Sequence, residues 1–275
     1  MRTQSLQSKS AGKRGRSSVA LFISRSGMRG ALLLILATTF CGRSFAYDET
    51  FHHVYPLSAG GSFVLENVNG SVHVDGWDRD EVEVSAVKTS TDESRDVQQV
   101  KIEVDNSKPG QIAVHTLYPK GQGAEVAVEY HVHVPYRVLL GSIGTVNGSV
   151  IVRGVEGGGE LRSVNGNIEV SNSSGRFSEK TTNGDIRLEL HQLLEGGPMN
   201  LETVNGSVLL GLPAGAKADL KVLSMNGDVY SELHVPRISG ALTPHAFKAK
   251  LGNGGGEISV RTVNGGIRLL QSPGV

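Results

Sequence analysis

After residue 50 the chain alternates apolar and polar residues over most of its length and repeats one short phrase seven times. Each copy places a small polar residue and one further residue before Asn-Gly, followed by an alternating apolar tail, as in TVNGGIRLL at 262–270. Alternation with a period of two is typical of half-buried β-strands, and no sustained helical period runs through 50–275. The pattern therefore predicts an all-β fold.

Aligning the seven copies on Asn produces fixed columns. The third residue after Asn is always Val or Ile, and the fourth residue before it is apolar in every copy except at Glu179. The second residue before Asn is Ser or Thr except at Asn67. The columns four and two residues before Asn share one strand face with Asn, whereas the third residue after Asn has the other parity, so a bend near Gly must absorb one residue if both sets point inward. We predict that the Asn side chains face inward at this bend and stack as a ladder beside a ladder of hydroxyls.

The Asn-Gly pairs are the predicted structural corners of the repeat. Glycine tolerates positive φ at little steric cost, so we expect Gly166 and its equivalents to adopt a left-handed conformation. The predicted corner residues are Asn69, Gly70, Asn147, Gly148, Asn165, Gly166, Asn183, Gly184, Asn205, Gly206, Asn226, Gly227, Asn264 and Gly265.

Two architectures fit the Asn spacings of 78, 18, 18, 22, 21 and 38 residues. In a β-solenoid each coil of roughly 18–22 residues contains two short strands joined at an Asn-Gly corner. In an antiparallel β meander or sandwich each Asn-Gly is a tight type I′ hairpin turn. The hairpin explains Asn-Gly but not the fixed columns before it, so the solenoid is favoured.

The residues directly before Asn have the parity opposite to the inward column. They predict an apolar stripe along the outside of the stack, which is typical of a contact surface unless another segment of the chain covers it. The stripe residues are Val146, Val164, Val204, Met225 and Val263.

The chain divides into three predicted regions. Residues 1–46 resemble a signal peptide, with eight bases and no acid, the apolar run ALLLILATTF at 31–40 and a small-residue cleavage site at 44–46. Met28 opens a signal of ordinary length, so 1–27 fit an extension upstream of the true start. Residues 47–140 are predicted to be an N-terminal β capping region, and 141–271 the repeat solenoid, interrupted by a loop at 234–247. The apolar run is too short to span a bilayer, so we expect an exported protein without a transmembrane anchor after cleavage.

Charge and cysteine content narrow the function classes. Removing 1–46 leaves 19 basic against 27 acidic side chains, which argues against nucleic-acid binding. Cys41, the single cysteine, is lost with the signal, so no disulfide or thiolate metal site is expected in the exported domain.

Candidate chemistry is sparse. Glu129, His131 and His133 share one strand face and could in principle bridge a metal, but a solvated strand face is the favoured interpretation. Carboxylates are dense between Asp75 and Glu83, yet Trp77 is the one tryptophan, a thin supply of aromatic platforms for a sugar-cleaving site. We predict no catalytic residue, no metal and no cofactor, and a packing role for Trp77.

The phrases TVNGSV and TVNGGI, the early VNGSVHVDGWDRDEVEVSAVK and the closing LGNGGGEISVRTVNGGIRL resemble the bacterial putative-adhesin family of domains of unknown function. The resemblance covers about 51–270 and implies an exported or envelope-associated β-solenoid with no catalytic residues to transfer.

We therefore expect a non-enzymatic scaffold, periplasmic, cell-surface or extracellular, that binds another protein, a second copy of itself or a cell-wall polymer. The alternative is a polysaccharide-active β-helix enzyme, a lyase or a hydrolase.

Overall fold

A computed structural model describes residues 47–90, 94–119, 126–233 and 245–272. The expected signal peptide at 1–46 and residues 234–244 of the expected loop lie outside the described residues. Within the described ranges, no helix is long and apolar enough to cross a membrane.

The described residues form twenty β-strands and one short helix. The elements are β1 (Tyr47–Pro56), β2 (Ser62–Glu66), β3 (Val72–Trp77), β4 (Glu81–Ser90), α1 (Ser94–Gln99), β5 (Lys101–Asp105), β6 (Gln111–Leu117), β7 (Val126–Pro135), β8 (Leu139–Gly144), β9 (Val150–Arg153), β10 (Gly159–Arg162), β11 (Ile168–Ser174), β12 (Phe177–Lys180), β13 (Ile186–Gln192), β14 (Met199–Asn205), β15 (Val208–Leu212), β16 (Ala218–Asn226), β17 (Val229–Ser231), β18 (Ala246–Leu251), β19 (Glu257–Asn264) and β20 (Ile267–Gln271).

The strands build two sheets of ten strands each. The first sheet has the order β1-β4-β7-β3-β9-β11-β13-β15-β20-β17, and the second has the order β18-β16-β19-β14-β12-β10-β8-β2-β6-β5. The prediction of an all-β fold is confirmed.

Successive copies of the repeat pair in parallel and in register. Ile168 lies beside Ile186, which in turn lies beside Val208. Each Asn-Gly joins a strand of the second sheet to a strand of the first, whereas a type I′ turn would join antiparallel neighbours. The antiparallel meander is therefore wrong for the repeat. We call each such pair of strands with its Asn-Gly corner a rung.

The core lies between the inner faces of the two sheets. Along β2, β3 and β4 buried and partly exposed residues alternate, as the period of two requires. Tyr130, Phe63 and Phe177 are the largest fully buried side chains. Each buried apolar side chain contributes on the order of 1.5–3 kcal/mol relative to an exposed one.

The spatial order of the strands departs from chain order at both ends of the stack. The layer β6–β7 lies outside the first rung, β2–β3, although it follows that rung in sequence. The last rung, β19–β20, lies between β14–β15 and β16–β17. Antiparallel strands continue the sheets beyond these layers, with β5, β4 and β1 at one end and β18 at the other. Residues 47–140 thus contribute a full rung and a further layer as well as capping strands.

Candidate functional site

The seven corner Asn side chains form one continuous series of hydrogen bonds. In each case Nδ2 donates to Oδ1 of the neighbouring Asn over 2.7–2.9 Å. The spatial order is Asn69, Asn147, Asn165, Asn183, Asn205, Asn264 and Asn226. All except Asn69, which is half-buried, are exposed, so the predicted inward orientation is wrong. The strand ends before Asn in four rungs and at Asn in the other three (Asn205, Asn226 and Asn264), and the corner turns the Asn side chain towards solvent.

The polar side chains that face inward are those of the Ser and Thr column. These hydroxyls are buried, and each donates to the carbonyl oxygen of the corner Gly in the neighbouring rung over 2.8–2.9 Å, for example Thr181 to Gly166 and Thr203 to Gly184. In the first rung Asn67 replaces the hydroxyl, and its Nδ2 reaches the carbonyl of Val128 at 2.9 Å. Each rung is thereby tied to its neighbour at a buried corner.

The corner glycines are required by close approach of the stacked backbones. Gly166 is not among the described glycines with positive φ, so the left-handed conformation predicted for it is wrong. A Cβ atom on Gly166 would instead collide with the carbonyl oxygen of Gly148, and one on Gly184 with that of Gly166. Gly70, with φ of 110°, does adopt the left-handed region.

Gly166→Ala should destabilise the protein by about 3 kcal/mol, because backbone rather than a flexible side chain must move to admit the methyl group. Gly197→Ala is the matched control, since an added Cβ there meets nothing within 4 Å. The midpoint of urea unfolding measures both effects. Equal midpoints for the two variants would contradict the close-approach explanation.

The predicted outer stripe is exposed at some positions and half-buried at others. Val146 is 38% exposed, Val164 40% and Met225 54%. Val204 and Val263 are half-buried, and Thr182 lies between Val164 and Val204 in the stack. Fewer positions of the stripe are therefore exposed than the sequence suggests, and the polar Thr182 interrupts the row.

The histidines of the first sheet pack in pairs with other rings. The rings of His131 and His73 stack with their centroids 4.7 Å apart, and those of His133 and Trp77 stack at 5.0 Å. Burial, and then the neighbouring His131, lower the pKa of His73. Among the described residues, no group of three His, Cys, Asp or Glu side chains has the geometry to hold a metal ion.

Trp77 is held by protein contacts. Besides His133, the guanidinium of Arg79 lies 4.6 Å from the ring centroid, and Nε1 donates to the carbonyl of Glu81 at 2.8 Å. These contacts agree with a packing role and leave less of the ring available to a ligand.

The structure contains a groove that the sequence did not predict. It lies on the edge of the stack opposite the Asn ladder, where the chain returns from the first sheet to the second. Three adjoining cavities form it, with volumes of about 400, 510 and 430 Å³. Tyr136 and Glu156 line both the first and the second cavity, and His191 and Gln192 line both the second and the third. The shared residues place the three cavities side by side along this edge.

Backbone hydrogen bonds hold the main chain of Tyr136 at the junction of the first two cavities. Its N–H donates to the carbonyl of Trp77 at 3.0 Å, and its carbonyl accepts from the N–H of Glu156 at 2.7 Å. A Cβ atom on Gly76 would collide with the carbonyl oxygen of Gly154 and would also lie 3.0 Å from Cδ1 of Tyr136, so glycine is required first by the neighbouring backbone and also leaves space beside the ring. The side chain is 42% exposed.

Polar groups surround this aromatic residue. Arg137 Nε lies 3.4 Å from Glu156 Oε2, and Asp80 Oδ1 accepts from the N–H of Ala59 at 3.2 Å. Asn172 has φ of 49°, the one non-glycine residue with positive φ in the part of the chain that the structure describes. The pairing of β11 with β13 shifts register next to it, and such bulges re-aim side chains. The groove thus combines an aromatic surface with several hydrogen-bonding groups.

In comparison with known proteins, one family model matches most of the repeat. Residues 141–270 match the Toastrack DUF4097 family, which confirms the expected resemblance to a domain family of unknown function. None of the curated proteins matches the chain. A crystal structure of a "putative cell adhesion protein" from Clostridium sporogenes ATCC 15579 is 12% identical, covers 81% of this chain and 100% of its own, and has a TM-score of 0.48. One of a "putative adhesin" from Bacteroides fragilis NCTC 9343 is 10% identical, covers 81% and 97%, and has a TM-score of 0.43.

Proposed function

We propose that this chain, whose residues 141–270 form a Toastrack DUF4097 domain, is an exported, non-enzymatic β-solenoid that binds a protein or a cell-wall polymer of the cell envelope or cell surface. An adhesin-like role of this kind is what the resemblance to the putative-adhesin family implies. The basic and apolar character of residues 1–46 supports export.

The elongated groove is the observation that carries the proposal. Its lining residues follow successive rungs, from Trp77 in the first to Pro213 in the fifth. Adjacent strands lie about 4.8 Å apart, so these four steps span roughly 19 Å. The Asn and hydroxyl ladders hold the rungs in fixed register, and a rigid surface loses little conformational entropy when it binds an extended partner.

Two of the four carboxylates that line the groove already hold partners within the chain, which supports binding rather than catalysis. Glu156 is paired with Arg137, and Asp80 accepts a backbone hydrogen bond from Ala59. A glycoside hydrolase needs one carboxyl group free to donate a proton and a second free to attack or to activate water. Carboxylates that already hold internal partners fit a positioning role better.

Purified residues 47–275 should cosediment with insoluble envelope and cell-wall material and should release no soluble sugar from it. Sedimentation with quantification of bound protein measures binding, and assays for reducing ends and for unsaturated products measure turnover. A heat-unfolded sample is the control for non-specific adsorption. Absence of binding would contradict the proposal. Turnover that Glu156→Gln abolishes would replace it with the polysaccharide-active enzyme.

A further inference from the structure

We propose that the groove binds one extended chain of a neutral polysaccharide, laid along the axis of the stack, with a sugar ring packed on Tyr136. The inference rests on the proposed function and names the class of its ligand.

The shape of the groove fits a polymer better than a single sugar. Its three cavities adjoin one another, so a ligand that leaves the first at Tyr136 enters the second, and one that leaves the second at His191 enters the third. A sugar residue in an extended chain advances by a length similar to the spacing of adjacent strands, so successive residues meet successive rungs. Affinity should therefore rise with the length of the oligosaccharide.

Tyr136 supplies the apolar contact. Sugar rings present C–H groups on their faces, and an exposed aromatic ring covers them while its hydroxyl stays in water. Trp77 is less available, because His133 and Arg79 already lie against it. The two backbone hydrogen bonds of Tyr136 fix the residue before a ligand arrives, which reduces the entropic cost of binding.

The polar groups around Tyr136 are suited to hydrogen-bond the hydroxyl groups of a sugar. Sugar hydroxyls both donate and accept, and the Arg137–Glu156 pair offers both functions at one place. Asn172 offers an amide, and its left-handed backbone is a strained arrangement of the kind that concentrates at binding sites.

The charge of the protein favours a neutral ligand over a polyanion. The chain beyond residue 46 carries 19 basic and 27 acidic side chains, and the first cavity contains Asp78 and Asp80 beside its arginines. An acidic polysaccharide would be repelled by the overall field.

Affinity electrophoresis of residues 47–275 through gels containing neutral polysaccharides (β-glucan, xylan, mannan) or acidic ones (alginate, polygalacturonate) tests the proposal, with calorimetry on oligosaccharides of increasing length. We expect retardation by at least one neutral polymer. Tyr136→Ala should weaken that binding about tenfold, whereas Tyr136→Phe should retain it. Tyr230→Ala is the matched control, because Tyr230 is 56% exposed and lines a separate cavity on the first sheet.

A second variant separates binding from folding. Asn172→Gly keeps a residue that tolerates positive φ and removes the amide, so it should lower affinity without lowering the thermal midpoint. Unchanged binding by both Tyr136→Ala and Asn172→Gly, or a loss caused by Tyr230→Ala alone, would overturn the assignment of the groove. Binding to envelope material with no retardation by neutral polysaccharides would overturn the ligand class and leave the proposed function standing. Binding to neither would overturn both.

Discussion

Replacing Glu179 with Leu should stabilise the protein by about 2–4 kcal/mol at neutral pH. Glu179 is 1% exposed, and neither carboxyl oxygen has a hydrogen-bond partner among the described residues. An unsatisfied buried polar group costs roughly 1–3 kcal/mol, and burying a leucine contributes about 1.5–3 kcal/mol. Glu179 lies between Leu161 and Leu201 in the same column, so a third leucine continues an existing apolar row.

The gain in stability from Glu179→Leu should depend on pH. Burial raises the pKa of the Glu179 carboxyl well above its ordinary value of 4.5. The folded state therefore binds the proton more tightly than the unfolded state does. Stability due to the protonated carboxyl is fully present below about pH 4.5 and is lost as the pH rises through the folded-state pKa. The advantage of the Glu179→Leu variant should accordingly widen as the pH is raised from 4 towards neutrality.

Glu179→Gln is the control for this prediction, since it removes the titration but keeps a buried polar group. Urea unfolding between pH 4 and pH 8 should show a flatter pH dependence for both variants than for the natural sequence, with the larger gain for leucine. If the natural protein and Glu179→Leu kept a constant difference across this range, the carboxyl would not titrate as its burial requires.

The repeat columns made most of the fold predictable from the sequence. Alternation identified the strands, and the column four residues before Asn already marked Glu179 as its exception. The orientation of Asn165 was mispredicted because parity extrapolates only while the strand continues. The last inward residue of that rung is Ser163, and the corner begins directly after it.

The groove was not predictable, because its residues lie partly in the connections between rungs, as Tyr136 and Glu156 do, and partly near strand ends, as Asn172 does in β11. Tyr136, Glu156 and Asn172 occupy no shared column, and their connections differ in length and composition. Their proximity depends on the strand order β7-β3-β9-β11, which brings residues distant in sequence onto adjacent layers. Gly76 admits the backbone of Gly154 as well as the ring of Tyr136, but these neighbours follow from the strand order and could not be read from the sequence.

The order of the rungs at the C-terminal end could not be predicted from the sequence either. All seven copies carry compatible columns, so any two of them could pair in register. Asn264 follows Asn226 in the chain, yet it lies between Asn205 and Asn226 in the stack. The antiparallel partner β18 occupies the outer edge of β16, which leaves β19 the position between β16 and β14.

Ending the chain at Gly256 should abolish the cooperative unfolding of the C-terminal rungs and lower the stability of the whole domain. The truncation removes β19 and β20, each of which pairs along both of its edges. It also removes four buried apolar side chains, Ile258, Val260, Ile267 and Leu269. Their burial contributes on the order of 6–12 kcal/mol, comparable with the net stability of an ordinary domain, about 5–15 kcal/mol.

Deletion of 47–56 is the control for this prediction, because β1 pairs with β4 along one edge alone and its Phe51 and Tyr55 are only partly buried. Circular dichroism during urea unfolding should show a much larger loss of stability for the C-terminal truncation than for the removal of β1. A rung held on two sides couples the layers above and below it, whereas an edge strand couples to one. Equal losses would mean that β16–β17 closes directly onto β14–β15 once β19–β20 is absent, and that the inserted rung adds no stability beyond that of an edge strand.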